Sequence, residues 1–142
     1  MPPGGNFDVN ISSNDNIVRR YFMATPRTAL DERARALLPL GAVAIQILLA
    51  LSDRERHGLG IADEIEATTG GKMALGPGTL YGAMKRLLEA GLVDEPDATP
   101  KGESADPRRR YYRITPLGSR ALELEARAMA NVLQVARAKR VL

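Results

Sequence analysis

The stretch from Gly76 to Gly91, GPGTLYGAMKRLLEAG, constrains this chain more than any other, because both ends of a helix are written into it. Pro77 brings a preset φ to a first helical position, where its missing N–H costs nothing, and Gly91 stands where a left-handed residue would close the last turn. Between them Leu80, Met84, Leu87 and Leu88 recur at i, i+4, i+7 and i+8, so one face must be buried. The opposite face carries Thr79, Tyr81, Gly82, Lys85 and Arg86. A hydroxyl, a phenol, two cations and a bare backbone position are the group types that meet phosphates and base edges in a groove. Standing alone, such a helix would more often be a solvated basic face over a core. The segment after Gly91 decides for a DNA-recognition helix.

Downstream come Leu92-Val93-Asp94-Glu95, a polar loop from Pro96 to Pro107, and Arg108-Arg109-Arg110-Tyr111-Tyr112-Arg113-Ile114. The second apolar run has the alternation and aromatic content of a strand, so the pair predicts a hairpin. Strand alternation would turn Arg109 away from Arg108 and Arg110, toward an acid of the domain. The expected fold is mainly α with this small β-hairpin: a winged helix-turn-helix domain whose third helix enters the major groove, followed by a C-terminal dimerisation helix.

Upstream, Pro26 to Leu38 has apolar residues at helical spacing and predicts a short leading helix. The first core helix, about Leu40 to Leu51, is apolar nearly all round and must be covered on two sides, by its own domain and by another chain. Ser52 to Arg56 reads as a charged turn, and a second helix runs from Leu59 to Thr69 until Gly70-Gly71 stops it. His57, the only histidine, has no cysteine or paired acid beside it, so packing or capping at the helix start is its expected role. Asp94 and Glu95 are adjacent in a strand and point to opposite faces, the wrong geometry for acid/base work. No catalytic residue, metal ligand or cofactor site emerges, and an enzyme is not expected.

Composition sharpens these limits. Residues 1–100 hold 10 Lys/Arg against 13 Asp/Glu, a net −3, while residues 101–142 hold 10 against 4, a net +6. The wing and the final helix are therefore the cationic part, which favours an anionic partner. With no Cys there is no thiolate metal site, and with no Trp the core is largely aliphatic. The start of the chain lacks a charged lead into an apolar run, and Leu37 to Leu51 is too short and interrupted to span a membrane, so a cytoplasmic address is expected.

Several ordered motifs agree in spacing: Leu48-Leu49-Ala50-Leu51, His57-Gly58, Gly76-Pro77-Gly78-Thr79-Leu80-Tyr81, Leu87-Leu88-Glu89-Ala90-Gly91-Leu92-Val93, and Arg108 through Gly118. Together they resemble the PadR family of transcriptional regulators, from about Leu38 to the C-terminus. The resemblance implies a homodimeric repressor that binds a double-stranded DNA operator and is released by a small-molecule or other effector. It also implies that Thr79, Tyr81, Lys85 and Arg86, with Arg108, Arg109 and Arg110 of the wing, contact DNA. An aromatic sandwich for flat ligands, which some relatives build with Trp, does not carry over to this chain. The alternative reading is a winged-helix interaction module that binds protein or RNA through its basic wing.

The last helix opens at Thr115, with Pro116 at its first position. Leu122, Ala126, Met129, Leu133 and Ala136 step by 4, 3, 4 and 3, the seam of a helix that pairs with another. Leu117, Ala121, Leu124, Ala128, Val132 and Val135 form a second stripe, so one stripe can cover the domain while the other meets a partner. The expected organisation is a flexible extension over residues 1–27, a DNA-binding domain over 28–114 and a dimerisation helix over 115–142.

Overall fold

The computed structural model describes residues 28–97 and 109–142. The expected extension over 1–27, the polar wing loop from residue 98 onward and Arg108 lie outside the described residues. Five helices and three short strands run in the order α1 (Ala29–Ala36), α2 (Ala42–Ala50), β1 (Arg56–His57), α3 (Gly58–Thr68), α4 (Pro77–Glu89), β2 (Val93–Asp94), β3 (Tyr111–Ile114) and α5 (Pro116–Ala138). No described helix is long and apolar enough to cross a membrane.

Local chemistry sets the helix ends. Thr28 caps α1 by accepting the Asp31 amide, and Thr115 caps α5 by accepting the Gly118 amide while its own hydroxyl donates to the Gly91 carbonyl at 2.6 Å. Gly91, at φ +78°, ends α4: its amide donates to the Leu88 carbonyl and the Leu92 amide to the Leu87 carbonyl. That paired closure needs a left-handed residue, which glycine supplies at no steric cost. Gly70 ends α3 in the same way.

One aliphatic core joins all the helices. Ile47, Leu48, Ile61, Ile65, Met84, Leu92 and Leu124 are the largest fully enclosed side chains among the described residues, and Leu80, Leu87, Leu117 and Ala121 extend the core. On helix α2, Ile47, Leu48 and Ala50 are buried by the chain's own domain, whereas Leu49 is 49% exposed. The start of α5 is locked to the domain, since a Cβ at Gly118 would collide with the Leu92 carbonyl oxygen. Farther along, Arg120 binds Asp31 of α1 at 2.7 Å, and Glu125 accepts the Leu40 amide at 2.7 Å.

The sheet differs from the expected two-stranded hairpin. It has three strands in the order β1-β3-β2, both pairings antiparallel, with Arg56 opposite Tyr112, His57 opposite Tyr111, and Val93 opposite Ile114. The segment read as a charged turn thus ends in an edge strand. Arg56 is held there by the Ala50 carbonyl at 2.8 Å and by Asp53 and Glu64.

Candidate nucleic-acid interface

Helix α4 divides its residues cleanly. Leu80, Ala83, Met84 and Leu87 are buried, while Thr79, Tyr81, Lys85 and Arg86 are exposed on the other side. The 3.6-residue period is the cause: a helix that commits its apolar stripe to the core must present the intervening residues outward. Gly82 lies between them, and the Arg86 guanidinium folds back to within 3.7 Å of where a Cβ on Gly82 would stand. Tyr81 leans over the start of α3, so a Cβ at Gly58 would collide with its phenol oxygen. The glycine at position 58 is what lets the phenol lie there.

Beside this face the sheet opens a cleft of about 210 Å³ lined by His57, Gly58, Leu59, Tyr81, Arg109, Arg110 and Tyr112. Arg109 and Arg110 are exposed and precede β3. Arg109 meets His57 Nε2 at 3.2 Å, rather than the acid that alternation suggested. On β3 it is Arg113 that pairs with an acid, its Nε donating to Asp94 at 2.7 Å across β2 and β3. His57 takes the capping role expected of it, its Nδ1 accepting the Gly60 amide at 3.1 Å, and its ring meets Tyr111 edge to face at 5.4 Å. Tyr111 and Tyr112 are both buried, Tyr112 in the core and Tyr111 outside it against His57. Burial raises the pKa of the Tyr112 hydroxyl above its ordinary value, with the charges of Glu95 and Tyr81 adding to the shift and Arg110 opposing it.

Position and chemistry together give a contiguous surface: two cations, a phenol and a hydroxyl on α4, then His57, Arg109 and Arg110 at the base of the wing. Sequence reasoning found the α4 residues and the arginines but not His57 as a member. Its signal was present only in the His57-Gly58 pair at a helix start. Among the described residues no group of three or more His, Asp or Glu side chains could hold a metal ion. The C-terminal seam is divided by depth. Leu122 packs partly against the core, whereas Ala126 is exposed and Met129, Val132 and Leu133 are 52%, 67% and 40% exposed. Ala136 is half-buried.

Known proteins resemble this chain in sequence and in fold. A 37.1 kDa uncharacterized protein encoded in a Streptomyces fradiae transposon is 41% identical over 86 residues, which is 61% of this chain but only 22% of that protein. A transcriptional regulator of Mycobacterium tuberculosis is 35% identical over 91 residues, covering 64% of this chain and 78% of its own. Among solved structures, a PadR family transcription regulator from Clostridium difficile superimposes with a TM-score of 0.57 at 26% identity, over 68% of this chain and 96% of its own. A sequence model of the Transcriptional regulator PadR-like family matches residues 47–124, which run from the buried end of α2 to the last core residue of α5. More than half of the chain lies within that match, so the chain belongs to the PadR-like family of transcriptional regulators, not to a family of enzymes.

Proposed function

We propose that this chain is a homodimeric, sequence-specific duplex DNA-binding repressor that works in the cytoplasm and leaves its operator when an effector binds. The observation that carries the reading is the outer face of α4, where Thr79, Tyr81, Lys85 and Arg86 stand exposed over a buried apolar face, beside Arg109 and Arg110. A helix of that composition fits the major groove, with its cations and hydroxyl positioned for phosphates and base edges. The arginines at the wing base supply sequence-independent attraction to the backbone.

Dimerisation is supported by the far half of α5. Met129, Val132 and Leu133 leave an exposed apolar stripe beyond Leu124, the last core residue of the helix. A second copy of the same helix would cover it, and a two-fold dimer would present two α4 helices roughly 34 Å apart, or a multiple of that, to one face of the duplex. The test is footprinting on the DNA just upstream of this protein's own gene, with affinity measured across a salt series. Protection of a two-fold symmetric site is the expected result. Replacing Arg109 and Arg110 with Ala should then reduce the magnitude of the log K against log salt slope by about 2. No duplex preference at any salt concentration would overturn the reading.

A further inference from the structure

His57 and Arg109 make demands on one another that the fold alone leaves unmet. The Gly60 amide donates to His57 Nδ1, so that nitrogen carries the lone pair, and in the neutral ring the proton must sit on Nε2. Arg109 Nη1 faces the same Nε2 at 3.2 Å, and a guanidinium nitrogen can only donate. The helix cap requires an Nε2–H, whereas the arginine requires a lone pair at that atom. No neutral tautomer satisfies both contacts, and a doubly protonated ring satisfies neither. The Tyr111 ring, set edge to face against the imidazole, holds it in place. Two donors aimed into one open cleft are satisfied together by a single anionic oxygen that accepts from both.

We propose that His57 Nε2–H and Arg109 clasp one phosphate oxygen supplied by the DNA backbone, making His57 a DNA-contacting residue as well as a helix cap. The inference rests on the proposed DNA-binding function. The cleft is shared with Tyr81 of the α4 outer face and with Arg110. It also opens at Gly58, the first residue of α3, whose initial amides lack partners within the helix and favour an anion there. This continuity identifies the source of the phosphate: a groove occupied by α4 carries its bordering backbone past the cleft. Bound this way, the phosphate would fix how far α4 enters the groove without reading any base.

Three variants and one set of modified duplexes test the clasp. His57→Asn keeps a good helix-capping acceptor but ends short of Nε2, whereas His57→Gln carries an amide N–H to that position. Duplex affinity should fall about tenfold in His57→Asn, recover in part in His57→Gln, and fall less in His57→Asn combined with Arg109→Ala than the product of the single losses. Duplexes with one neutral methylphosphonate linkage each leave the protein unchanged. At one linkage the wild type should lose about tenfold and His57→Asn nothing further. Wild-type affinity in His57→Asn, or equal sensitivity of the two proteins at every linkage, would overturn the proposal. If the wild type binds no duplex at all, the DNA-binding reading fails, and inorganic phosphate titrated against the imidazole nitrogen resonances judges the clasp alone. A shift of Nε2 that Arg109→Ala abolishes would retain the clasp and assign it to a free anion, whereas an unmoved Nε2 would remove it.

Discussion

Lys85 and Arg86 sit on adjacent positions of α4, both exposed, yet they need not contribute alike. Arg86 folds toward Gly82 and offers a planar fork suited to a guanine edge, while Lys85 offers a point charge suited to a phosphate. Arg86→Ala is expected to cost about 1–3 kcal/mol of operator affinity and to relax preference at one base pair; Lys85→Ala should weaken all sequences alike. Binding measured on a set of single-base operator variants distinguishes the two patterns, and unchanged affinity in both would remove α4 from the interface. Asp31 gives a residue-scale prediction about stability. Its hydrogen bond from Arg120 holds the carboxyl below the ordinary range, opposed by burial and aided by the Arg120 charge. A depressed native pKa means that the ionised form adds stability above the unfolded value, roughly pH 4, and that this contribution is lost as pH falls through the native value. Asp31→Asn should therefore melt below the wild type at neutral pH, with the gap narrowing under about pH 4. At this scale the α4 residues were legible because helical period is a strong signal. The Arg109 partner was not, because Arg109 precedes β3 and strand alternation does not govern it.

Helix α5 begins where backbone meets backbone. Gly118 lies against the Leu92 carbonyl and the Ile114 side chain, and neither can retreat without disturbing β2 or β3. Gly118→Ala should cost about 1–3 kcal/mol, seen as a lower denaturant midpoint with an unchanged slope. A midpoint equal to that of the wild type would show that this junction yields. The boundaries of α4 and α5 could be read from Pro77, Gly91, Thr115 and Pro116, since each residue performs a local task that its neighbours specify. The edge strand β1 could not. It has two residues, too few for any alternation, and its existence depends on Tyr111 and Tyr112, far along the chain. A two-residue strand is a property of its partner rather than of its own sequence.

For the whole molecule, the proposed dimer rests on the exposed stripe of α5. Replacing Met129 and Leu133 together with Asp would bring like charges face to face in an apolar seam, and should give monomers with unchanged helix content and poor operator affinity. Sedimentation checks the premise: a wild type that remains a 15.4 kDa particle at tens of micromolar would mean that the stripe meets no second copy. The anchoring of α5 has a consequence for the operator itself. Asp31, Leu40 and Leu92 grip the helix as far as Glu125, and the stretch of about 20 Å beyond that point is exposed over most of its residues. In a dimer that length is a ruler, setting how far each reading head stands from the two-fold axis. Seven residues inserted after Glu125 would return the seam to nearly the same face while lengthening the ruler by about 10 Å. Selection from a pool of duplexes with graded gaps should then recover sites with more widely separated arms, bound by a protein that still dimerises.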